Sequence, residues 1–295
     1  KPFVFFSLLS IAVYLYIALL LDRSDFISLL SAFSIAFGAY FLLVKRAKSE
    51  DIKIYQGLAI LFRLLFLFGI PLLSDDYFRF IWEGQLQLQG INPFDQYPKE
   101  IGVDFPNKSE LFRGMNSPEY YTIYPPIAQY IYGVAAWLSP NSILGSVIWM
   151  RIFLLAGEVG VIILLPRLLK QLQINVVNSL WYLLNPLAIV ELVGNLHFEG
   201  LMIFFFLMAV YLLVLQKEKL AAIPWAFAAA VKLVPIFFLP VVLRAIPWKK
   251  SLHFYLLFAL VFIGLWVPFY NSTFLPHFLE SVRLYSSSFE FNASI

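Results

Sequence analysis

Ser74-Asp75-Asp76-Tyr77-Phe78-Arg79-Phe80-Ile81-Trp82-Glu83-Gly84 is the stretch at which an apolar run, residues 55–73, stops at two adjacent carboxylates and an amphipathic segment begins. Ionisable groups beside hydrocarbon are costly, so an acidic pair at a membrane boundary marks a candidate functional site. The ordinary alternative is a helix N-terminus, where Ser or Asp caps the first turn and the dipole favours acids. Past the pair, Phe78, Ile81, Trp82 and Leu86 recur at helical spacing, while Arg79 and Glu83 stand four apart on a more polar side. This predicts an external helix lying in the membrane interface after the third span.

Composition supports a bilayer reading. The 295 residues are 61% hydrophobic and 13% charged, and mean hydropathy is +0.80, outside the range of soluble domains. Apolar runs of about 18 to 20 residues recur without barrel-like alternation, so the spans are helices. The formal charge of +3 says little about nucleic acid, and the basic residues serve better to orient the chain. There are no cysteines, which excludes disulfides and thiolate metal sites.

Runs 3–21 and 26–44 flank the turn Asp22-Arg23-Ser24-Asp25, and Lys45, Arg46, Lys48 and Lys53 follow. By the positive-inside rule that basic cluster is cytoplasmic, which puts the amino terminus inside and the acidic pair outside. Residues 74–123 form an external loop carrying the pair, irregular beyond Gly90 because it is rich in Pro, Asn, Lys and Glu. The stretch 124–138 is too short to cross and reads as partial. Runs 143–165, 176–193, 201–215 and 252–269 read as spans. The Pro-interrupted stretch 220–243, basic on both flanks, reads as a re-entrant hairpin. The fold expected is an all-α integral membrane protein, a polytopic bundle of about seven full spans plus two partial segments. It forms a single transmembrane domain over residues 1–295. A chain that starts at Lys1 and ends at Ile295 inside a polar stretch reads as a fragment lacking carboxy-terminal spans.

No Gly-rich strand-to-helix fingerprint is present, so a nucleotide-bound donor is not expected and a lipid-linked one is favoured. Transfer from a lipid phosphate needs a base for the attacking hydroxyl and cations or donors for the leaving phosphate. Asp75 or Asp76 is the candidate base. Arg79, Arg151, His197 and Lys232 are the candidate phosphate ligands. Arg151 and Glu158 lie on one helix face, where a buried structural pairing is the competing reading. His197 and Glu199, two residues apart on an external turn, are weak evidence for a metal. No metal or other cofactor is expected, a divalent ion being permitted but not indicated. Trp82, Tyr121 and Tyr124 are candidates for sugar stacking, with core packing the competing role.

These residues resemble a known family. Ser74–Gly84, then Gly90-Ile91-Asn92-Pro93-Phe94, Tyr124-Pro125-Pro126, Asn185-Pro186, Gly194-Asn195-Leu196-His197-Phe198-Glu199-Gly200 and Val231-Lys232-Leu233-Val234-Pro235 look, in that order, like the polyprenol-phosphate-mannose-dependent mannosyltransferases of the GT-C superfamily. The resemblance covers about residues 70–295. It implies inverting transfer of a sugar, usually mannose, from a polyprenyl phosphate to a hydroxyl of a glycan, lipid or glycolipid on the periplasmic face of a bacterial inner membrane. An aspartate of the pair would be the base, with His197 and Glu199 at the site and Lys232 near the donor phosphate. Glu83, Asn92, Asn195, Glu290 and Asn292 complete the expected sugar and acceptor contacts. The family often carries the pair after the first span rather than the third, and often has Asp where Glu199 stands. The rival classes are a transporter or lipid flippase using Arg151, Glu158 and Lys232, and a membrane acyltransferase using His197 as base. The placement of most polar groups on one external face, with no repeat, favours the transferase.

Overall fold

The computed structural model describes residues 2–287 and, among them, contains helices and no strands. Two long helices, α1 (Pro2–Leu19) and α2 (Phe26–Arg46), form an antiparallel pair. Asp25 caps α2 by accepting from the Ser28 N–H at 3.1 Å, one of the orphan donors of a helix start. Next come α3 (Ile52–Leu64), α4 (Asp76–Leu88), α5 (Lys108–Gly114) and α6 (Pro126–Leu138). The longest helix, α7 (Ile143–Gln171), follows Ser142, whose hydroxyl accepts from the Gly145 N–H at 3.0 Å. After it stand α8 (Leu180–Leu183), α9 (Pro186–Ile189), α10 (Glu199–Val214), α11 (Glu218–Val231), α12 (Leu239–Ala245), α13 (Trp248–Trp266) and α14 (Phe274–Ser287).

Among the described residues four helices are long and apolar enough to cross a bilayer: α1, α2, α7 and α13 with its short extension to Phe269. A fifth candidate is the bent pair Val176–Leu183 and Pro186–Gly194. Of the roughly seven full spans expected, these helices account for four or five. Run 55–73 is helical only to Leu64, because Gly69 and Pro71 interrupt it, and Pro has no N–H to carry a helix on. Run 176–193 bends by 56° at Asn185-Pro186, the Asn185 side chain capping the second half at the Leu187 N–H. Helix α10 has 16 residues, short of a comfortable span. The stretch 124–138 is the short helix α6, which Pro126 starts. The stretch 220–243 folds back on itself: α11 starts where Glu218 pairs with Lys250 at 2.7 Å, ends at Lys232 beside Glu199, and the 3-10 turn Val234–Phe238 and α12 lead back to Trp248.

The helix after the acidic pair also differs from expectation. It forms, as α4, but protein surrounds it. Arg79 and Glu83, expected on its polar side, are 3% and 0% exposed and bond each other at 2.6 Å. The reason lies in the loop, since Arg79 also donates to the carbonyls of Ser117 (2.6 Å) and Tyr120 (3.1 Å). The segment 89–125 thereby folds over α4, and it contains α5 and the turn Pro98–Glu100 where irregular chain was expected. On another side of α4, Gly84 abuts α6; a Cβ there would lie 2.8 Å from the Tyr132 carbonyl carbon.

Among the described residues packing falls into four apolar clusters, a small one of Phe94, Phe269 and Phe274 and three larger ones. The first of the larger ones joins α1, α2, α3, the bent pair and α7. The second joins α4, α6, α7 and the start of α10. The third joins α10, α11 and α13, where Ala221, Ala222, Ala226 and Ala229 on α11 are fully buried. Small side chains let helix backbones approach closely, the usual device where lipid supplies no hydrophobic drive between helices.

Candidate active site

The loops sort into two ends. Arg23, in the α1–α2 turn, pairs with Asp75 at 2.7 Å, and Asp76 lies 3.8 Å from His197, so these three loops share one end. At the opposite end Ser49 bonds Asn175 at 3.1 Å and Glu218 meets Lys250.

The two aspartates are no longer equivalent. Asp75 precedes α4, and its carboxylate is engaged by Arg23. Asp76 is the first residue of α4, where the dipole favours an anion. Its Oδ1 accepts from Asn116 Nδ2 at 3.1 Å, and its Oδ2 faces His197 Nε2 across 3.8 Å. The other ring nitrogen, Nδ1, lies 3.2 Å from Glu191 Oε2, which also accepts from Asn195 Nδ2 at 3.1 Å. Beyond them Glu199, which opens α10, is ion-paired with Lys232 at the end of α11. Asp76, Glu191, His197, Glu199 and Lys232 thus form one polar cluster built from four separate elements. His197 and Asp76 are each about a third exposed at the side chain (30% and 32%), so the cluster opens to solvent.

Backbone geometry aims His197. Residues Val190–Gly194 form a π-helical turn, and the Asn195 and His197 N–H groups donate to the carbonyls of Val190 and Glu191. Leu196 has φ of 60°, a region a bulky residue rarely occupies and one that stores about 1–3 kcal/mol of strain. Its side chain is fully buried, and that burial holds the turn. Burial pushes the His197 pKa down, but the hydrogen bond to Glu191 and the charges of Glu199, Glu191 and Asp76 outweigh it. The net position is above the ordinary value.

Arg151 holds the two arms of the site together. It is 1% exposed and donates to the carbonyls of Val193 (2.9 Å), Gly194 (2.9 Å), Gly69 (2.6 Å) and Leu67 (3.1 Å). Two of these carbonyls come from the interrupted segment before the acidic pair, and two from the π turn before His197.

Of the expected phosphate ligands, Lys232 and His197 lie in the cluster. Arg79 and Arg151 do not, because backbone carbonyls and Glu83 occupy their guanidinium groups. Trp82, 1% exposed and packed on Phe105, has no face for a sugar. Tyr121 is sandwiched between Tyr97 and His277, with ring centroids 4.1 and 3.9 Å away, so both its faces are covered. Tyr124 packs edge-on against Phe80 and Tyr132. Glu83 is fully buried and accepts from Gln129. Asn92 bonds the Phe269 carbonyl at 2.8 Å. Asn195 supports Glu191, and Glu199 holds Lys232. Glu290 and Asn292 lie outside the described residues. Arg63, not Arg151, partners Glu158: the two pair at 2.7 Å with both side chains fully buried, and Tyr182 donates to the same carboxylate.

Three contributors escaped the sequence reading. Glu191 left a signal, as the one charged residue in run 176–193. Arg23 left none, being 52 residues from its partner, and neither did Asn116. Among the described residues no group of three His, Asp or Glu side chains is arranged to hold a metal ion.

Comparison with known proteins agrees with this picture. Residues 19–247 match the family model described as "Alpha-(1->6)-mannopyranosyltransferase, N-terminal domain". Alpha-(1->6)-mannopyranosyltransferase B of Corynebacterium glutamicum is 28% identical over 48% of this chain and 24% of its own length. Two alpha-(1->6)-mannopyranosyltransferases of Mycobacterium tuberculosis are 26% and 25% identical, over 48% and 56% of this chain and 24% and 32% of their own lengths. The matched chain thus spans a quarter to a third of the length of these curated relatives, and no solved structure matches. With 19–247 of 295 residues under the family model, the chain belongs to the alpha-(1->6)-mannopyranosyltransferase N-terminal-domain family, within the GT-C mannosyltransferases.

Proposed function

We propose that the protein transfers a mannosyl group from a polyprenyl-phosphate donor to a hydroxyl of a glycan, lipid or glycolipid acceptor, with Asp76 as general base. The observation that carries this reading is the 3.8 Å gap between Asp76 Oδ2 and His197 Nε2. It is too long for a direct hydrogen bond, yet an oxygen placed between the two groups sits about 2.8 Å from each. A hydroxyl in that position donates its proton to Asp76 and accepts from the imidazolium. As its oxygen bonds the anomeric carbon, the bond from that carbon to the phosphate oxygen breaks and the phosphate leaves with the electron pair. Lys232, exchanging Glu199 for phosphate, neutralises the leaving group. A single displacement inverts the anomeric centre, so an alpha-linked product, as the relatives' names specify, requires a beta-linked donor. No resident metal enters this scheme.

The chain is a membrane protein by its apolar helices and its family. The site end is assigned to the non-cytoplasmic face, since Lys45, Arg46, Lys170, Lys217, Lys219, Lys249 and Lys250 gather at the other end. The transporter reading loses its support, because Arg151 and Glu158 are each fully engaged inside the protein.

The test is transfer of radiolabelled mannose from polyprenyl-phosphate-mannose in membranes holding the full-length protein, with Asp75→Asn and Asp76→Asn alongside. Loss of a general base costs about 10²–10⁴-fold, expected for Asp76→Asn and not for Asp75→Asn. Wild-type transfer by Asp76→Asn would overturn the assignment.

A further inference from the structure

We propose that Glu191 is the positioning residue of this site: its carboxylate holds the His197 ring with Nδ1 protonated, so that Nε2 is presented to Asp76 and to the substrate oxygen between them. The inference rests on the transferase reading for its consequence in catalysis, and on geometry for the hold itself.

Glu191 grips His197 twice. Its main-chain carbonyl accepts the His197 N–H at 3.3 Å, and its carboxylate Oε2 stands 3.2 Å from Nδ1. Asn195 Nδ2 donates to the same oxygen, which fixes the carboxylate in turn. The π turn Val190–Gly194 makes this possible, because its wider winding brings residue 191 under the loop at 197. Arg151 pins the carbonyls of Val193 and Gly194 in that same turn. A carboxylate can only accept, so the ring nitrogen facing it carries a proton. The groups that face the imidazole are Asp76 of α4, Glu191 of the bent pair and Glu199 of α10, the last already paired with Lys232 at the end of α11. Three carboxylates against one lysine favour the imidazolium, in keeping with the raised position of the His197 titration. Without Glu191 the ring keeps charge from Asp76 but loses its orientation.

The test uses the intact protein with histidine labelled in the imidazole nitrogens. The chain has three histidines, and His197→Gln identifies the signal of interest by its loss. In wild type the neutral form of His197 is expected as the Nδ1–H tautomer, the opposite of the ordinary preference for Nε2–H. Glu191→Gln keeps an accepting oxygen, so the tautomer persists while the titration midpoint falls by about one pH unit, for want of one neighbouring charge. Glu191→Ala returns the ring to the Nε2–H tautomer. In the transfer assay Glu191→Ala lowers kcat by tens of fold with the donor KM little changed. Glu191→Gln recovers part of the rate and moves the alkaline limb of the pH profile down with the titration. An Nε2–H tautomer in wild type, or a midpoint that neither variant moves, overturns the proposal whatever the transfer rates. Normal titration shifts beside a wild type that transfers no mannose support the hold and sink the transferase reading instead.

Discussion

Replacing Arg151 by Met tests whether the site is assembled by one buried cation. Two effects oppose each other. Removing a guanidinium that is 1% exposed and has no carboxylate partner relieves a desolvation cost of several kcal/mol. Against that, four carbonyls now bonded at 2.6 to 3.1 Å lose their donor, and a buried acceptor left unsatisfied costs about 1–3 kcal/mol. Four such losses sum to about 4–12 kcal/mol. They outweigh the relief even after relaxation, and breaking buried charged interactions typically ends at a net loss of about 3–5 kcal/mol. The carbonyls cannot turn to other partners, because they belong to interrupted helices at Leu67–Gly69 and Val193–Gly194, where no helical N–H follows. Arg151→Lys keeps the charge but not the planar fork, and is expected to fall between Met and wild type. The assay is thermal unfolding of the purified protein in detergent, read beside mannosyl transfer at a temperature where each variant remains folded. Transfer should drop in the folded variant, since Arg151 ties the arm of Asp76 to the arm of His197. A Met variant as stable and as active as wild type would refute the reasoning.

Burial aside, the hydrogen bond to Glu191 and the neighbouring carboxylates hold His197 above its ordinary value, so the imidazolium and its hold on the attacking hydroxyl are present at lower pH and fade as pH rises through the raised pKa. Stability follows the same sign: the contribution is complete below the unfolded-state pKa of about 6.5 and is lost on the alkaline side. A pH series of transfer should therefore show an alkaline decline that His197→Gln abolishes, and an unchanged decline in that variant would exclude His197 as its source. Gly84→Ala places a methyl group against the Tyr132 backbone; overpacking of this kind costs about 1–3 kcal/mol, seen as a lower unfolding midpoint, and an unshifted midpoint would show that α4 and α6 separate freely. Chelator treatment should leave the transfer rate unchanged, because Lys232 supplies the positive charge at the leaving phosphate; a rate restored only by added divalent ion would contradict that.

The sequence by itself determined the material of this protein and the addresses of its polar residues. Runs too apolar for water dictate helices in a bilayer, and Gly, Pro and Asn punctuation at 69–71, 185–186 and 232–235 dictates where those helices break, since the causes are local. Two adjacent carboxylates at the end of an apolar run and a histidine in the turn between two others stand out because hydrocarbon penalises them. Tertiary structure decided which of these groups meet. Asp75 and Asp76 are neighbours in the chain with the same chemistry, and only the arrival of Arg23 beside one and His197 beside the other gives them different surroundings. Arg79, Arg151 and Lys232 are alike as cations in a sequence, yet the first two spend their donors on backbone carbonyls, while Lys232 stands 48% exposed at the site. An interrupted helix leaves carbonyls that demand a donor, and no local rule says which distant arginine will supply it. That demand is met across the fold, which is why the helical, membrane-bound character was legible in the sequence and the grouping of the site residues was not.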